Sequence, residues 1–257
     1  MTVLLRSALF NVFFFGMTFI LTWPATLIRF VAPGHLMIMV RLWARLAAGG
    51  ARVICGIRWQ VMGLEKIPSG AALIASAHQS AFDTFIWFLL VPQCRYVLKE
   101  ELTRIPLFGG LITTTGQIPV DRSAGAAALR GLLRQGAEAL QAGGQVVIFP
   151  EGTRREPGTI GPLQPGVAAL AARAKLPVIP VATDSGLCWS RKAFVKRPGT
   201  ITIAVGDPIP VSLPRDALME RLHAQFGVLH HEKLGVERSV DKSVQQTGAD
   251  PAAISGN

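Results

Sequence analysis

The chain is expected to fold as an α/β protein: a mostly parallel or mixed central sheet flanked by helices, preceded by a membrane-associated helical segment. Three observations lead there. From about residue 58 onward, short β-rich runs alternate with helix-length stretches, the pattern of a sheet covered on both faces. The first 57 residues hold two long apolar stretches instead. The 257 residues are 50% apolar with a mean hydropathy of +0.39, yet the formal charge is +10. Apolar excess with basic charge points to a membrane surface or another anionic, lipid-like partner. Nucleic acid is disfavoured, because there is no dense Lys/Arg run and only one tyrosine for base stacking.

No charged residue lies between Ser7 and Ile28, and Arg6 and Arg29 bracket the run. As a helix it rises about 33 Å, against a bilayer core of about 30 Å. Pro24 is expected to kink or end this helix early. After the Ala32-Pro33-Gly34 break, residues 36–57 carry Arg41, Arg45 and Arg52 among apolar residues, as an amphipathic helix at the headgroup surface would. One true span and a hairpin dipped into one leaflet both fit. Arginine and lysine dominate after Ile28, which places the rest of the chain at the cytoplasmic face.

Residues 1–57 therefore read as anchoring helices, 58–233 as the α/β domain and 234–257 as a polar, disordered tail. Strands are expected at 59–62, 72–75, 96–98, 118–120, 146–149, 178–181 and 200–205. Helices are expected at 82–90, 125–142, 167–174 and 215–226. Cys55, Cys94 and Cys188 are scattered and odd in number, so they imply buried thiols rather than a disulfide framework or a zinc site.

Four blocks carry the candidate chemistry. The first is His78-Gln79-Ser80-Ala81-Phe82-Asp83, at the end of an apolar run. Positions five apart are about 500° apart on a helix, so His78 and Asp83 can meet only across a turn into a helix start. There the carboxylate would fix the ring tautomer and stabilise an imidazolium. Taken alone, His-x4-acid arises by chance roughly 0.3 times in such a chain. The second block contains Lys99-Glu100-Glu101-Leu102, Pro106, Gly109 and then Asp121-Arg122, with Lys99 and Arg122 each just past a strand. Ligand groups gather at such strand ends. The third, Phe149-Pro150-Glu151-Gly152-Thr153-Arg154, offers a glycine for close approach, a hydroxyl and a planar fork for phosphate. The fourth is Val178-Ile179-Pro180-Val181, where a proline in a buried run reads as an edge strand or bulge. His223, His230 and His231 have no paired-ligand spacing beside carboxylates, so no metal and no resident cofactor is expected. His230-His231 are expected to lie exposed beside the tail.

These blocks, in this order across residues 71–181, resemble the glycerolipid acyltransferase family, and most closely the 1-acyl-sn-glycerol-3-phosphate acyltransferases. The resemblance implies His78 as general base and Asp83 as its partner. It places Lys99, Arg122, Glu151, Gly152, Thr153 and Arg154 around the acceptor's glycerol phosphate, and Pro180 near the acyl donor. Ala77 departs from the family pattern, where a polar residue often precedes the histidine. Acyl-CoA or acyl carrier protein would deliver the acyl group, lysophosphatidic acid would accept it, and membrane lipids would surround the enzyme. Loop amides near His78 or Glu151 are candidates for oxyanion donors. A covalent route through Ser80 is the rival mechanism, although the chain has no G-x-S-x-G elbow. Other readings are the same transfer to glycerol 3-phosphate or to another lysolipid, such as a lyso-ornithine lipid. A non-catalytic lipid-binding protein is a further one.

Overall fold

A computed structural model describes residues 2–191 and 194–235. The tail expected from residue 234 lies almost wholly outside the described residues. Two long helices come first, α1 (Val3–Val31) and α2 (Leu36–Cys55). Seven strands follow: β1 (Ile57–Met62), β2 (Ala72–Ser76), β3 (Cys94–Lys99), β4 (Ile118–Val120), β5 (Gln145–Ile148), β6 (Val178–Thr183) and β7 (Gly199–Val205). The remaining helices are α3 (Asp83–Leu90), α4 (Phe108–Thr114), α5 (Ala126–Gln141), α6 (Gly166–Ala174), the short α7 (Ser185–Cys188) and α8 (Arg215–Val228). A π-helical turn, Leu229–Lys233, extends α8.

The sheet order is β1-β7-β6-β2-β5-β3-β4, and every neighbouring pair is parallel except β6 with β7. Side chains alternate across it, so Ile74 and Val147 join the core beneath α1, α2 and α3, while Leu73 and Val146 join the core beneath α5, α6 and α8. Strands buried on both faces read as continuous apolar runs, which is why β2, β5 and β6 stood out in the sequence.

The edge-strand expectation for Pro180 is overturned. β6 lies between β2 and β7. Its proline is tolerated because β7 ends at Val205, so only the Pro180 carbonyl is needed there, accepting from the amide of Gly206 at 2.8 Å. Pro24 does not end α1 either. The helix continues to Val31, with Ala25 buried beyond the proline and the Arg29 guanidinium lying over Gly110.

The first two helices share one core with the sheet. Phe10 and Met17 of α1, and Ala44, Ala47 and Ala51 of α2, cluster with Phe85, Trp87 and Trp189. Phe10 and Trp189 meet edge to face at 5.3 Å. Gly50 of α2 admits the Phe13 ring so closely that a Cβ there would lie 2.2 Å from it. The start of α1 is also clipped to the 185–198 segment: the Lys196 amide donates to Ser7 Oγ at 2.8 Å, and its ammonium to Asn11 Oδ1. That ammonium lies 5.1 Å from the Trp189 ring centroid, a favourable position for a desolvated cation. The outward face of α1 stays bare, with Val12, Phe15, Phe19, Ile20 and Leu27 all strongly exposed.

Candidate active site

The site lies along the carboxyl ends of the parallel strands, where open α/β sheets gather ligands. β2 and β5 are neighbours in register, so the loops that leave them run side by side. The first loop, 77–82, carries His78 into α3. Asp83 is the first residue of α3, with only 2% of its surface exposed. Its Oδ2 accepts from the amides of Gln79 and Ser80, both at 2.8 Å, and faces His78 Nδ1 at 3.1 Å. One carboxylate oxygen therefore folds the turn and orients the ring. Opposite a carboxylate, Nδ1 is the protonated nitrogen, which leaves Nε2 as the basic atom. The ring stacks on Phe149 from the second loop, with centroids 4.1 Å apart and planes 18° apart. A phenyl face there favours a positive imidazolium as it forms.

The second loop, 149–155, is tied to the first by two bonds. Glu151 is buried, and its carboxylate accepts from the His78 amide at 3.1 Å and from the Gly161 amide at 3.2 Å. The Arg155 amide donates back to the His78 carbonyl at 2.7 Å. Burial raises the Glu151 carboxyl to about 7, against the pull of those two donors and of Arg155. The sequence reading placed Glu151 around an acceptor phosphate; in the structure its buried carboxylate is aimed at the His78 backbone, where it braces the first loop. Gly152 has φ +69°, the left-handed region that glycine tolerates, and its carbonyl accepts from the Arg122 guanidinium.

The arginines form the other half of the site. Arg122, just past β4, reaches the second loop across the end of β3. Arg154 is half-buried and donates to the Arg191 carbonyl at 3.5 Å. Burial lowers its guanidinium below the ordinary value, while the charge of Asp83 opposes that, so Arg154 lies within electrostatic reach of the dyad. Arg155 crosses Gly161 so closely that a Cβ there would lie 2.2 Å from its guanidinium carbon, and its Nε is buried without a partner. Among the described residues, none of the three forms an ion pair with a carboxylate. Guanidiniums held together without counter-ions are positioned for an anionic ligand.

Thr153 is half-buried on the same loop, and Lys99 is exposed at the end of β3. Pro180 lies apart from these, buried within β6 against Gly206. Ser80 is fully buried and its Oγ accepts from the Phe82 amide at 3.1 Å, so this hydroxyl is engaged in the turn before α3 and is not presented as a nucleophile. The amides of His78, Gln79, Ser80, Gly152 and Arg155 are all committed to acceptors inside the protein. Those expected oxyanion donors are therefore spent, and the amides of Thr153 and Arg154 are left without an acceptor among the described residues.

Two contributors escaped the sequence reading. Phe149 was legible as part of its motif, but not as the surface beneath the ring. His230 was expected at the surface, yet it is buried. Its Nδ1 donates to the Phe226 carbonyl at 2.8 Å, so its Nε2 accepts from the Gln79 side-chain amide at 3.3 Å. Gln79 Oε1 accepts in turn from the Gly186 amide at 3.1 Å. Burial holds the His230 imidazole below its usual range, consistent with a neutral ring in this chain of bonds. The π-helical turn that carries it had no sequence signal.

Comparison with known proteins agrees with this geometry. Residues 58–184 match the family described as Acyltransferase, so the α/β domain is of the acyltransferase class. A 1-acyl-sn-glycerol-3-phosphate acyltransferase of Pseudomonas aeruginosa is 39% identical over 207 residues, 79% of this chain and 79% of that protein. Its counterpart in Limnanthes douglasii is 31% identical over 195 residues, 75% of this chain and 66% of the other. The chain belongs to the 1-acyl-sn-glycerol-3-phosphate acyltransferase family. The crystal structure of PlsC, the 1-acyl-sn-glycerophosphate acyltransferase of Thermotoga maritima, shares the fold with a TM-score of 0.69 at 20% identity, covering 93% of this chain and 97% of that one.

Proposed function

We propose that the protein transfers an acyl group from an acyl thioester to the sn-2 hydroxyl of 1-acyl-sn-glycerol 3-phosphate, giving phosphatidic acid. The observation that carries the reading is the His78–Asp83 pair at 3.1 Å, on the same sheet edge as three arginines without counter-ions. The relatives' names supply the acceptor, and the unpaired guanidiniums supply a reason for its phosphate. His78 Nε2 takes the hydroxyl proton, the oxygen attacks the thioester carbonyl, and the tetrahedral intermediate collapses with loss of thiolate. A thiol of pKa near 8.5 leaves with little acid assistance, so one positioned base, worth about 10²–10⁴-fold, can suffice. The buried, hydrogen-bonded position of Ser80 favours this direct attack over a covalent acyl-enzyme. Arg122 and Arg154 would hold the phosphate, with Thr153 and Gly152 on the same loop, and the imidazolium formed would be stabilised by Asp83 and Phe149.

The bare face of α1 supports attachment to a membrane, with Lys and Arg dominating the rest of the chain and favouring the cytoplasmic side. Because one face of α1 is packed on the body from Ser7 to Ala25, a hairpin resting in one leaflet fits better than a free span. Acyl-CoA and acyl carrier protein are both anionic donors suited to the basic edge. The test is transfer by purified protein to lysophosphatidic acid against a panel of other lysolipids and glycerol 3-phosphate, with each donor in turn. Faster acylation of lysophosphatidic acid is expected. Equal or slower acylation would overturn the acceptor assignment.

A further inference from the structure

The segment between β3 and β4 drew notice in the sequence for Lys99, Pro106 and Gly109, yet the chemistry above gives most of it no task. It leaves β3 through a 3-10 turn (Glu100–Arg104) and enters α4. Every side chain from Arg104 to Phe108 is exposed. Ile105 is 45%, Leu107 41% and Phe108 39% exposed.

The protein holds these side chains outward by design of the backbone. The Phe108 amide donates to the Pro106 carbonyl at 2.7 Å, and that of Gly109 to Ile105 at 2.8 Å. Leu107 has φ +65°, a left-handed conformation that costs a leucine energy and persists only where the surroundings impose it. Gly109 passes so near Thr103 that a Cβ would lie 1.8 Å from its carbonyl oxygen. The result is a fixed hook that presents leucine and phenylalanine where a water-facing turn would carry polar residues.

The surroundings of the hook identify its partner. Gly110 lies beneath the guanidinium of Arg29, in the last turn of α1. Next to Arg29, Phe30 and Val31 are strongly exposed, at 71% and 70%. The apolar outer face of α1 therefore continues onto the hook, whose margin carries Arg29, Lys99 and Arg104 beside Glu100 and Glu101, with Arg104 paired to Glu100 at 3.5 Å. An apolar centre with a mixed margin in which basic residues outnumber acidic ones matches the boundary between acyl chains and anionic headgroups. We propose that residues 104–108 insert into the leaflet that carries α1, as a second membrane contact at the rim of the active-site edge. The proposal rests on the membrane reading of α1 above. Two separated contacts fix the tilt of the sheet, and β3, which feeds the hook, adjoins β5, which feeds the arginine loop. A lysolipid would then pass from bilayer to dyad without crossing water.

The three native cysteines are buried, so an introduced cysteine can be labelled selectively. Full-length Leu107→Cys, Phe19→Cys on α1 and Arg130→Cys on the opposite face of the sheet each take an environment-sensitive fluorophore. Each is mixed with phosphatidylglycerol-containing vesicles bearing a lipid-chain quencher. Quenching at positions 107 and 19 but not at 130 is the expected result. Quenching at 19 alone overturns the hook while leaving the α1 reading intact, and quenching at neither overturns the membrane reading itself. Kinetics add a second readout: an Ile105→Ser, Leu107→Ser, Phe108→Ser variant should raise the apparent KM for long-chain acceptor in vesicles about tenfold. Transfer to a water-soluble short-chain acceptor should be unchanged. Equal loss on both acceptors would also count against the proposal.

Discussion

The two loops of the site are built alike and used differently. Each leaves the carboxyl end of a parallel strand, and each contains a buried carboxylate that accepts two backbone amides. Asp83 spends its remaining capacity on the His78 ring, whereas the two amides that Glu151 accepts are those of His78 and Gly161, and its carboxylate meets the His78 backbone instead of the ring. On the proposed function, the first loop carries the chemistry, and the second holds the first in place while its arginines receive an anion. An acid in a signature motif is not necessarily a ligand contact, because the hydrogen bonds of the neighbouring loop can claim it first.

The sharpest way to break this division is to remove each loop's working group in turn. His78→Ala should lower kcat by about 10³-fold or more with little change in melting temperature, and Asp83→Asn by about 10²–10³-fold through the wrong ring tautomer. Steady-state kinetics of both variants beside unfolding curves check this; full activity in either would end the assignment of the base. Arg154→Ala should act on the other loop, raising KM for lysophosphatidic acid about 10–100-fold, with a smaller change in kcat. A kcat loss as large as that of His78→Ala would erase the distinction between the loops.

Glu151 offers a test by pH. Its folded carboxyl lies at about 7 instead of 4.5, so the native state holds an extra proton between those values. The stability it contributes is full below about pH 4.5 and falls as pH rises through 7, by up to about 3 kcal/mol. Thermal melts of wild type and Glu151→Gln should therefore diverge in pH dependence, the variant losing this share of the decline. Asp184, raised to about 6 by burial, adds the same trend to both proteins and cancels in the comparison. His230→Ala should cost about tenfold in kcat by loosening Gln79, and His230→Gln should restore part of it; no loss would make that ring a packing residue only. The smallest effect belongs to Ser80→Ala, which removes a buried turn hydrogen bond worth about 1 kcal/mol and leaves most activity. Complete inactivation of a folded Ser80→Ala protein, with an acyl-enzyme burst in wild type, would revive the covalent route.

Much of this was legible in the sequence, for identifiable reasons. All seven strands read correctly within two residues at each end; for β2, β5 and β6 the reason is that fully buried strands are continuous apolar runs, and the others show as short β-rich segments between turns. The pairing of His78 with Asp83 was implied by the family resemblance, and the spacing permitted it, since five residues fit a turn into a helix start. What failed to show were directions set by distant residues. Glu151 turns inward because the amides of His78 and Gly161 await it, and neither is local. His230 is buried because a π-helical turn after α8 rolls it towards Gln79, a contact 151 positions away. Pro180 looked like an edge because the ending of β7 at Val205, which makes the proline harmless, is invisible in its own neighbourhood.

The Lys196 clip has a practical corollary for anyone wishing to handle this enzyme in water. Because its ammonium and amide fasten the beginning of α1 to the body, the greasy helix cannot be cut away as a detachable leash. Truncation before Leu36 would uncover Trp189, Trp43 and Phe85, trading one sticky surface for another. The long apolar helix and the α/β domain fold as one object, and solubility has to come from redesigning the outward side chains of α1 while leaving Ser7, Phe10 and Met17 in place.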